Sequence, residues 1–454
     1  MKRSATFALI VVATLGFTGT SLARQSKSHP VSATTSQSQP DQVIQWNQEL
    51  LQLVQAPGAQ PATIHPTRTL AITQLAVYDA VNAIERKDAP YLFHRRAPRG
   101  ASAEAAAAAA ARTTLLALLP SQQSAIDAMF QTSLAQLGSG PRVREGTQVG
   151  EEAANTILRA RANDGAAVTP TAFVPQSGPG EYQLTPPSFT PAGFTQTAHV
   201  TPFFLKTASQ FRPPAPPALT SARYAADFNE VKSLGRLTST TRTADQTSVG
   251  KFWGAAPIWI VWNQVAEQAG SAFHNNLQQN ARMFALLDGT LGDGAIALYD
   301  AKYTYHRWRP ITAITATDQG NSNTISDSTW VPLANTANDP SYPGAHAQFS
   351  EAAATVLVDF FRTDGFSFSL SNATTGITRS FDSFTAAADE ASASRIFAGQ
   401  HFRYDEDAGQ SLGVQVADFV VDSLLSRAGG RRRSALSPPK NSQTLKLPAV
   451  EVWQ

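Results

Sequence analysis

Apolar residues recur at helical spacing along most of the chain, and period-two alternation is weak nearly everywhere. Val43, Ile44, Leu50, Leu51 and Val54 predict a helix that starts at Asp41 and is stopped by Pro57 and Gly58. Leu70, Ile72, Leu75, Val77 and Val81 predict a second over 67–84. The alanine-rich run 103–119 is a strong helix former and lets a neighbouring helix approach closely. Ser121 is a candidate cap for a helix running to Leu137, before Gly138, and 142–162 predicts another. The helical pattern resumes near Thr220 and continues, with breaks, through 222–234, 253–267, 276–287 and 294–308. Two further amphipathic helices are predicted over 347–361 and 409–425.

Three stretches lack this period. Residues 24–40, rich in Ser, Thr and Gln, read as a flexible leader. Residues 169–217 are studded with Pro and Gly and read as a long surface-wrapping loop, of the kind that is functional or connects domains. Residues 426–454, with Arg427, Arg431, Arg432 and Arg433, form a basic, solvated tail. The expected organisation is therefore a helical region over 41–168, the loop over 169–217 and a second helical region over 218–425. The fold class is all-α, as two packed helix bundles, with no internal sequence repeat.

The chain has 454 residues, of which 42% are apolar, enough for a large core in one or two domains. Charged residues make up 15% and the net charge is +2, which suits buried helices better than a nucleic-acid surface, so no nucleic-acid partner is expected. Lys2 and Arg3 precede an apolar run from Ala5 to Phe17, and Ser21-Leu22-Ala23 fits a cleavage site. Residues 1–23 thus read as a signal peptide cleaved near Ala23, giving a soluble protein exported to the periplasm or beyond the cell. That run is too short for a comfortable membrane span, and no later apolar run is long enough. There is no cysteine, which excludes disulfides, thiolate catalysis and thiolate-ligated metals. The sequence sets no oligomeric state.

Candidate chemistry gathers between Lys302 and Asp405. Lys302 and Arg309 are seven apart, which on a helix puts both on one face with His306 between them until Pro310 ends it. Tyr342-Pro343-Gly344-Ala345-His346 leads into a predicted helix, placing the N–H groups of Gly344, Ala345 and His346 at its positive end, a ready anion site. In Ser394-Arg395-x5-His401-x3-Asp405, Gly399 supports a bend that lets Arg395 and His401 converge, and the spacing of His401 and Asp405 allows contact. Each cluster alone also fits an ordinary explanation: a solvated basic face, a turn before a helix, a surface ion pair.

In this order, Lys-x6-Arg-Pro, Pro-x-x-His and Ser-Arg-x5-His-x3-Asp resemble the signature of the superfamily of vanadium-dependent haloperoxidases and type-2 phosphatidic acid phosphatases. The motifs cover about a quarter of the chain; Arg242-Thr-Ala-Asp-Gln246-Thr and Phe252-Trp253 extend the likeness to soluble bacterial haloperoxidase-like members. The resemblance implies that Lys302, Arg309 and Arg395 bind the oxygens of vanadate, with phosphate competing, and that the Ala345 N–H and that of Gly344 add to the cradle. It implies that His401 bonds vanadium or attacks phosphorus, that His346 is the acid–base group, and that Asp405 orients His401 or anchors an arginine. Tyr299 and Asp339 are candidate neighbours of a halide position. The implied partners are hydrogen peroxide and halide, or a phosphomonoester. The second motif usually reads Pro-Ser-Gly-His, so the serine hydroxyl expected on an oxyanion oxygen is missing here at Gly344, a loss of about 1.5–3 kcal/mol. The expected functions are a vanadate-dependent haloperoxidase, a secreted acid phosphatase with a phosphohistidine, or a non-catalytic oxyanion-binding protein. No His-Glu-x-x-His, Glu-x-x-His or Gly-x-Ser-x-Gly pattern supports a zinc, di-iron or serine-hydrolase alternative.

Overall fold

The computed structural model describes residues 41–427 except 171, 256, 318 and 319; the expected signal peptide, the expected leader up to residue 40 and all but the first two residues of the expected tail 426–454, which are helical, lie outside the described residues. Within them the fold is all-α apart from one hairpin. The first group of helices is α1 (Gln42–Leu53), α2 (Thr67–Glu85), α3 (Ala103–Leu118), α4 (Gln123–Leu137) and α5 (Pro141–Arg161). The second is α6 (Ala222–Leu234), α7 (Ala244–Gly254), α8 (Ile258–Ala272), α9 (Leu277–Tyr305), α10 (Pro310–Thr315), α11 (Ala345–Phe361), α12 (Phe384–Phe397) and α13 (Arg403–Arg427). Between α11 and α12 lie β1 (Gly365–Asn372) and β2 (Ile377–Ser383), antiparallel with Phe368 opposite Phe381.

The two groups share α9, which packs on α2 from one side and on α11 and α13 from the other, so a single apolar core runs from Leu70 and Ala108 through Leu291 to Val356 and Leu412. Small residues set the closest approaches. A Cβ on Gly150 of α5 would collide with the carbonyl of Ala106 on the alanine face of α3, and one on Gly413 of α13 with the carbonyl of Gln348 on α11. No described helix is long and apolar enough to cross a membrane.

Several predicted boundaries move for identifiable reasons. The expected helices 276–287 and 294–308 are one, because the intervening glycines are packing positions rather than stops: a Cβ on Gly289 would strike Phe204, one on Gly292 would crowd Ala71 and Phe203, and one on Gly294 would strike Gln348. The expected helix 253–267 is two, parted before Pro257. Ser121 caps nothing; it lies in a short 3-10 turn, Pro120–Gln122, ahead of α4. The last helix starts at Arg403, six residues before the predicted 409.

The loop 169–217 is irregular, as expected, and two buried carboxylates explain how such loops are held. Asp79 on α2 accepts the N–H groups of Tyr91, Leu92 and Phe93 (2.6–2.8 Å), and Asp293 on α9 accepts those of Phe203, Phe204 and Leu205 (2.6–2.8 Å). Burial nevertheless pushes both carboxyls up to about 6, against the pull of those donors. Farther along, Tyr182 N–H donates to His306 O (2.6 Å) and Trp308 N–H to Gly180 O (2.9 Å), tying the loop to the chain just beyond α9.

One buried acid in α9 has less help. Asp288 accepts only from Asn263 Nδ2 (2.9 Å), its Oδ2 has no hydrogen-bond partner, and burial pushes its carboxyl up to about 7. A carboxyl raised in the fold stabilises the protein below its unfolded pKa of about 4, and that stability is lost as the pH rises to about 7. Asp288→Asn should remove this component. Thermal melts from pH 4 to 8 should show the variant close to wild type at the acid end and more stable at pH 8; parallel curves would refute the assignment.

Candidate active site

The site is built where α9 stops. Lys302 lies in its last turn, fully buried, and His306 ends the helix in a left-handed conformation (φ 47°) with its N–H on Lys302 O (3.0 Å). Arg309 is therefore not on the face of Lys302, as helical spacing predicted; it is the N-cap of α10, and His306 leaves the site to meet the ring of Phe173 (5.3 Å). Asp339 joins the two cations instead. Arg309 Nη2 donates to Asp339 Oδ1 and Nε to the Asp339 carbonyl (2.8 Å), while Lys302 Nζ is 3.7 Å from Oδ2 and donates to the carbonyls of Pro340 and Ser341 (the latter at 3.1 Å). Tyr299, one turn back on α9, also hydrogen-bonds this carboxylate. Burial pushes Asp339 up, but Lys302 and Arg309 outweigh it and hold the carboxyl below its ordinary value. Burial lowers Lys302 to about 8, with Asp339 opposing and Arg309 adding to the fall.

His401 is buried beside this knot. Arg309 Nη1 is 2.8 Å from its Nε2, and its Nδ1 faces Asp405 Oδ2 (3.3 Å), Ser341 Oγ (3.4 Å) and Glu406 Oε1 (3.6 Å). A guanidinium only donates, so Nε2 carries the lone pair and Nδ1 the proton. Burial and then the charges of Arg309, Lys302 and Arg395 hold the imidazole well below its usual range, hence neutral. Asp405 also accepts from Ser341 Oγ (2.6 Å) and Phe402 N–H (2.9 Å), yet burial raises it to about 6. His401 precedes α13 rather than sharing its helix, so the contact with Asp405 comes from the turn at Phe402.

The bend at Gly399 (φ 75°) is as expected, and it brings Arg395 from the end of α12 back toward His401. Arg395 Nη2 donates to Gln400 Oε1 (2.5 Å), and the Gln400 carbonyl accepts from Arg309 Nη1 (3.1 Å). Arg395 Nε and Nη1 are buried with no hydrogen-bond partner.

At the start of α11 the cradle differs from expectation. The Gly344 N–H donates to Asp405 O (2.8 Å), so Gly344 is not a backbone donor to an anion; Ala345 and His346, the first helical residues, have N–H groups without intrahelical acceptors. His346 Nε2 is 3.1 Å from the Trp253 carbonyl, which fixes the proton there and the lone pair on Nδ1. Burial, then Arg395, lowers its basicity well below the usual value.

Lys302, Arg309, Arg395 and His401 thus meet, and the cationic charge of Arg395 acts on His346 as well. Three buried cations face one carboxylate held ionised, and a buried guanidinium with two unpartnered nitrogens is strongly unfavourable without an anion. A tetrahedral oxyanion such as vanadate or phosphate fits that donor set; His401 Nε2 would reach its centre on giving up the Arg309 N–H that it accepts here. Ser341, Gln400, Glu406 and the Trp253 carbonyl were missed. Ser341, Gln400 and Glu406 flank motif residues in sequence, a signal available from position alone; nothing in the sequence marks a carbonyl.

Comparisons with known proteins bear on the fold and the family. Residues 282–430 match the family model for the second helical-bundle domain of VCPO. A vanadium chloroperoxidase from Curvularia inaequalis is 27% identical over 192 residues, 33% of this chain and 31% of the relative's length. The fold is similar to that of a bacterial vanadium-dependent iodoperoxidase (TM-score 0.72, 23% identity, 84% of this chain and 95% of that one). It is also similar to a bacterial vanadium-dependent chloroperoxidase in its holo form (TM-score 0.64, 17% identity, 83% and 96%).

Asp339→Asn would leave Lys302 and Arg309 buried side by side without their carboxylate. At pH 7 it should cost about 3–5 kcal/mol in urea denaturation, and added phosphate should recover part of it. Because the folded pKa is depressed, wild type should hold its advantage above about pH 4 and lose it as the pH falls further. A variant as stable as wild type at pH 7 without added anion would refute the clamp.

Proposed function

We propose that this chain, which belongs to the superfamily of vanadium-dependent haloperoxidases and type-2 phosphatidic acid phosphatases, oxidises halide with hydrogen peroxide at a vanadate bonded to His401. The observation that carries this reading is the tautomer of His401: Nε2 holds a lone pair beside Arg309, with Nδ1–H backed by Asp405. A neutral imidazole with a defined second partner is what a metal ligand requires.

Lys302, Arg309 and Arg395 would hold the oxygens of a bound vanadate, with the Ala345 N–H at the positive end of α11 adding a donor. Bound vanadate supplies a Lewis-acidic centre that activates peroxide toward a halide without itself changing oxidation state. The chain's part is electrostatic and positional. Lys302 Nζ, fixed by two carbonyls and Asp339, would supply a positive charge to polarise the bound oxidant. His346 holds or releases a proton at Nδ1, its other nitrogen being committed to Trp253. Asp339, placed as a halide neighbour by the sequence reading, serves better as the anchor of both cations. Tyr299 stands behind it.

The same Nε2 lone pair would also attack phosphorus, so an acid phosphatase with a phosphohistidine is the second reading, supported by the same tautomer. Purified protein should brominate a phenolic acceptor with bromide and peroxide only after orthovanadate is added, and His401→Ala should abolish this. Phosphomonoester hydrolysis inhibited by vanadate would favour the second reading, and tight anion binding with neither activity would leave a binding protein. An unaffected His401→Ala variant would end both catalytic readings.

The reading includes export with cleavage near Ala23, which rests on the pattern of residues 1–23. Mass spectrometry of the secreted protein should give an N-terminus at Arg24; a mature protein beginning at Met1 would refute it.

A further inference from the structure

We propose that the loop after α2 binds an acidic polysaccharide: one sugar unit, with its sulfate or carboxylate, sits in a surface cavity, and the anionic units on either side lie on the cations around it. The inference stands apart from the oxyanion pocket and goes beyond it.

Residues 85–99 read Glu-Arg-Lys-Asp-Ala-Pro-Tyr-Leu-Phe-His-Arg-Arg-Ala-Pro-Arg, five cations against two carboxylates in a chain whose net charge is only +2. Arg86, Lys87, Arg95, Arg96 and Arg99 are all exposed. The backbone that carries them is fixed from below. Asp79 takes the N–H groups of residues 91–93, and the Asn82 side chain bonds both the N–H (3.0 Å) and the carbonyl (2.7 Å) of Asp88. Arg86 ends α2 in a left-handed conformation (φ 58°) and ties the two ends of the loop together, its Nη2 donating to Ala97 O (2.7 Å). The spacing of the cations is thus set before any ligand arrives, which lowers the cost of binding one.

The loop encloses a cavity of about 300 Å³. Ala83, Pro90 and Phe93 give it an apolar side, and Arg86, His94, Arg95 and Arg96 a basic one. The carboxylates nearby are already matched. Asp88, which also lines the cavity, accepts from Gln278 Nε2 and lies 3.6 Å from Arg282 Nε; Glu152 takes Arg95 Nη1; Glu85 is 3.9 Å from Lys87. Among the described residues Arg96 and Arg99 have no hydrogen-bond or ion-pair partner. The surplus charge therefore faces solvent, where it attracts anions in a salt-dependent way.

The arrangement also selects among polyanions. Lys87 and Arg99 lie outside the cavity lining, so a ligand that uses all five cations is longer than the cavity and carries repeated charge. None of the exposed large apolar side chains falls within 85–99, which leaves nothing to insert into a membrane and no open ring on which a base could stack. An acidic sugar chain needs neither: its ring rests on the apolar side while the guanidinium forks take the charged groups.

The test is fluorescence anisotropy on the full chain at low salt, with two labelled probes, a heparin octasaccharide for sulfate and an oligogalacturonate for carboxylate. Wild type should bind at least one of them, less tightly as sodium chloride is added, and the tighter probe identifies the anionic group. Arg96→Glu with Arg99→Glu, two side chains with no partner in the fold, should leave the thermal melt unchanged and weaken binding by about tenfold or more. Lys206→Glu with Lys251→Glu makes the same change in net charge at other exposed positions and should bind like wild type, as should Arg431→Gln with Arg432→Gln and Arg433→Gln in the tail. The inference is overturned if wild type binds neither probe, if the loop reversal is no weaker than the Lys206/Lys251 control, or if the tail variant loses the binding instead. It is overturned equally if phosphatidylglycerol vesicles or single-stranded DNA bind more tightly than either sugar. Should the loop reversal fail to fold, Arg96→Gln with Arg99→Gln takes its place. Each of these failures leaves the oxyanion reading intact, since vanadate-dependent bromination is measured separately.

Discussion

Two cations buried on either side of one carboxylate are the constraint on which the rest of this structure depends. Lys302 and Arg309 are both essentially inaccessible to water, and Asp339 is buried with them. Bringing either cation out of water alone would cost several kcal/mol, and Coulomb attraction offsets this only where geometry is good and further hydrogen bonds are made. Here the carboxylate takes both cations, the carbonyls of residues 339, 340 and 341 accept further N–H groups from them, and Arg309 Nη1 goes to Gln400 O and His401 Nε2. One ion pair leaves a net positive charge. That surplus, with Arg395 added, is what makes the cavity a place for an anion.

The long loop is what holds this knot in register. Its backbone pairs with His306 and Trp308 on either side of the turn between the two cations, and its carbonyls accept from tyrosines around the site: Tyr303 on Gly193, Tyr305 on Pro213 and Tyr342 on Pro214. Arg307 Nη2 donates to Pro217 O (2.9 Å) and its guanidinium lies over the ring of Tyr224 (5.1 Å). Asp293 then pins residues 203–205 of the same loop to α9, the helix that carries Lys302. Behind the turn, Tyr224, Phe228, Trp308, Trp330 and Phe402 form a small apolar cluster of their own. The loop is therefore a structural part of the site, fastened by backbone and tyrosine hydroxyls rather than by a periodic apolar face.

This explains which parts were legible in the sequence. Amphipathic period reveals helices that bury one face, and those of the first group are where it predicts. It fails for α9, which is buried nearly all round and whose glycines serve neighbours instead of ending the helix. The hairpin was missed although Phe366, Phe368 and Leu370 alternate with serines over 365–372, because eight residues of alternation were outweighed by helical signal on both sides. The order of charged residues and histidines identified the site, but spacing misled about how it is made: Lys302 and Arg309 converge through Asp339 across a helix end. Ser341 meets His401 across 60 residues, which no local pattern encodes, whereas Gln400 sits beside His401 and five residues from the Arg395 it accepts from.

The site also shows why identities at its edge are less constrained than its cations. A cation in the pocket can be replaced only by another donor of the same reach, because Asp339, His401 and Gln400 each accept from a fixed nitrogen of Arg309. A hydroxyl at the rim has no such network. Gly344 spends its N–H on Asp405, and the Glu406 carboxyl lies where a side chain at 344 would begin, so the start of α13 closes that corner. Two consecutive carboxyls at a helix N-terminus are favoured by the helix dipole, while burial raises both. Lys302 and Arg309 pull both the other way, so the start of α13 is bound electrostatically to the same cations that Asp339 joins.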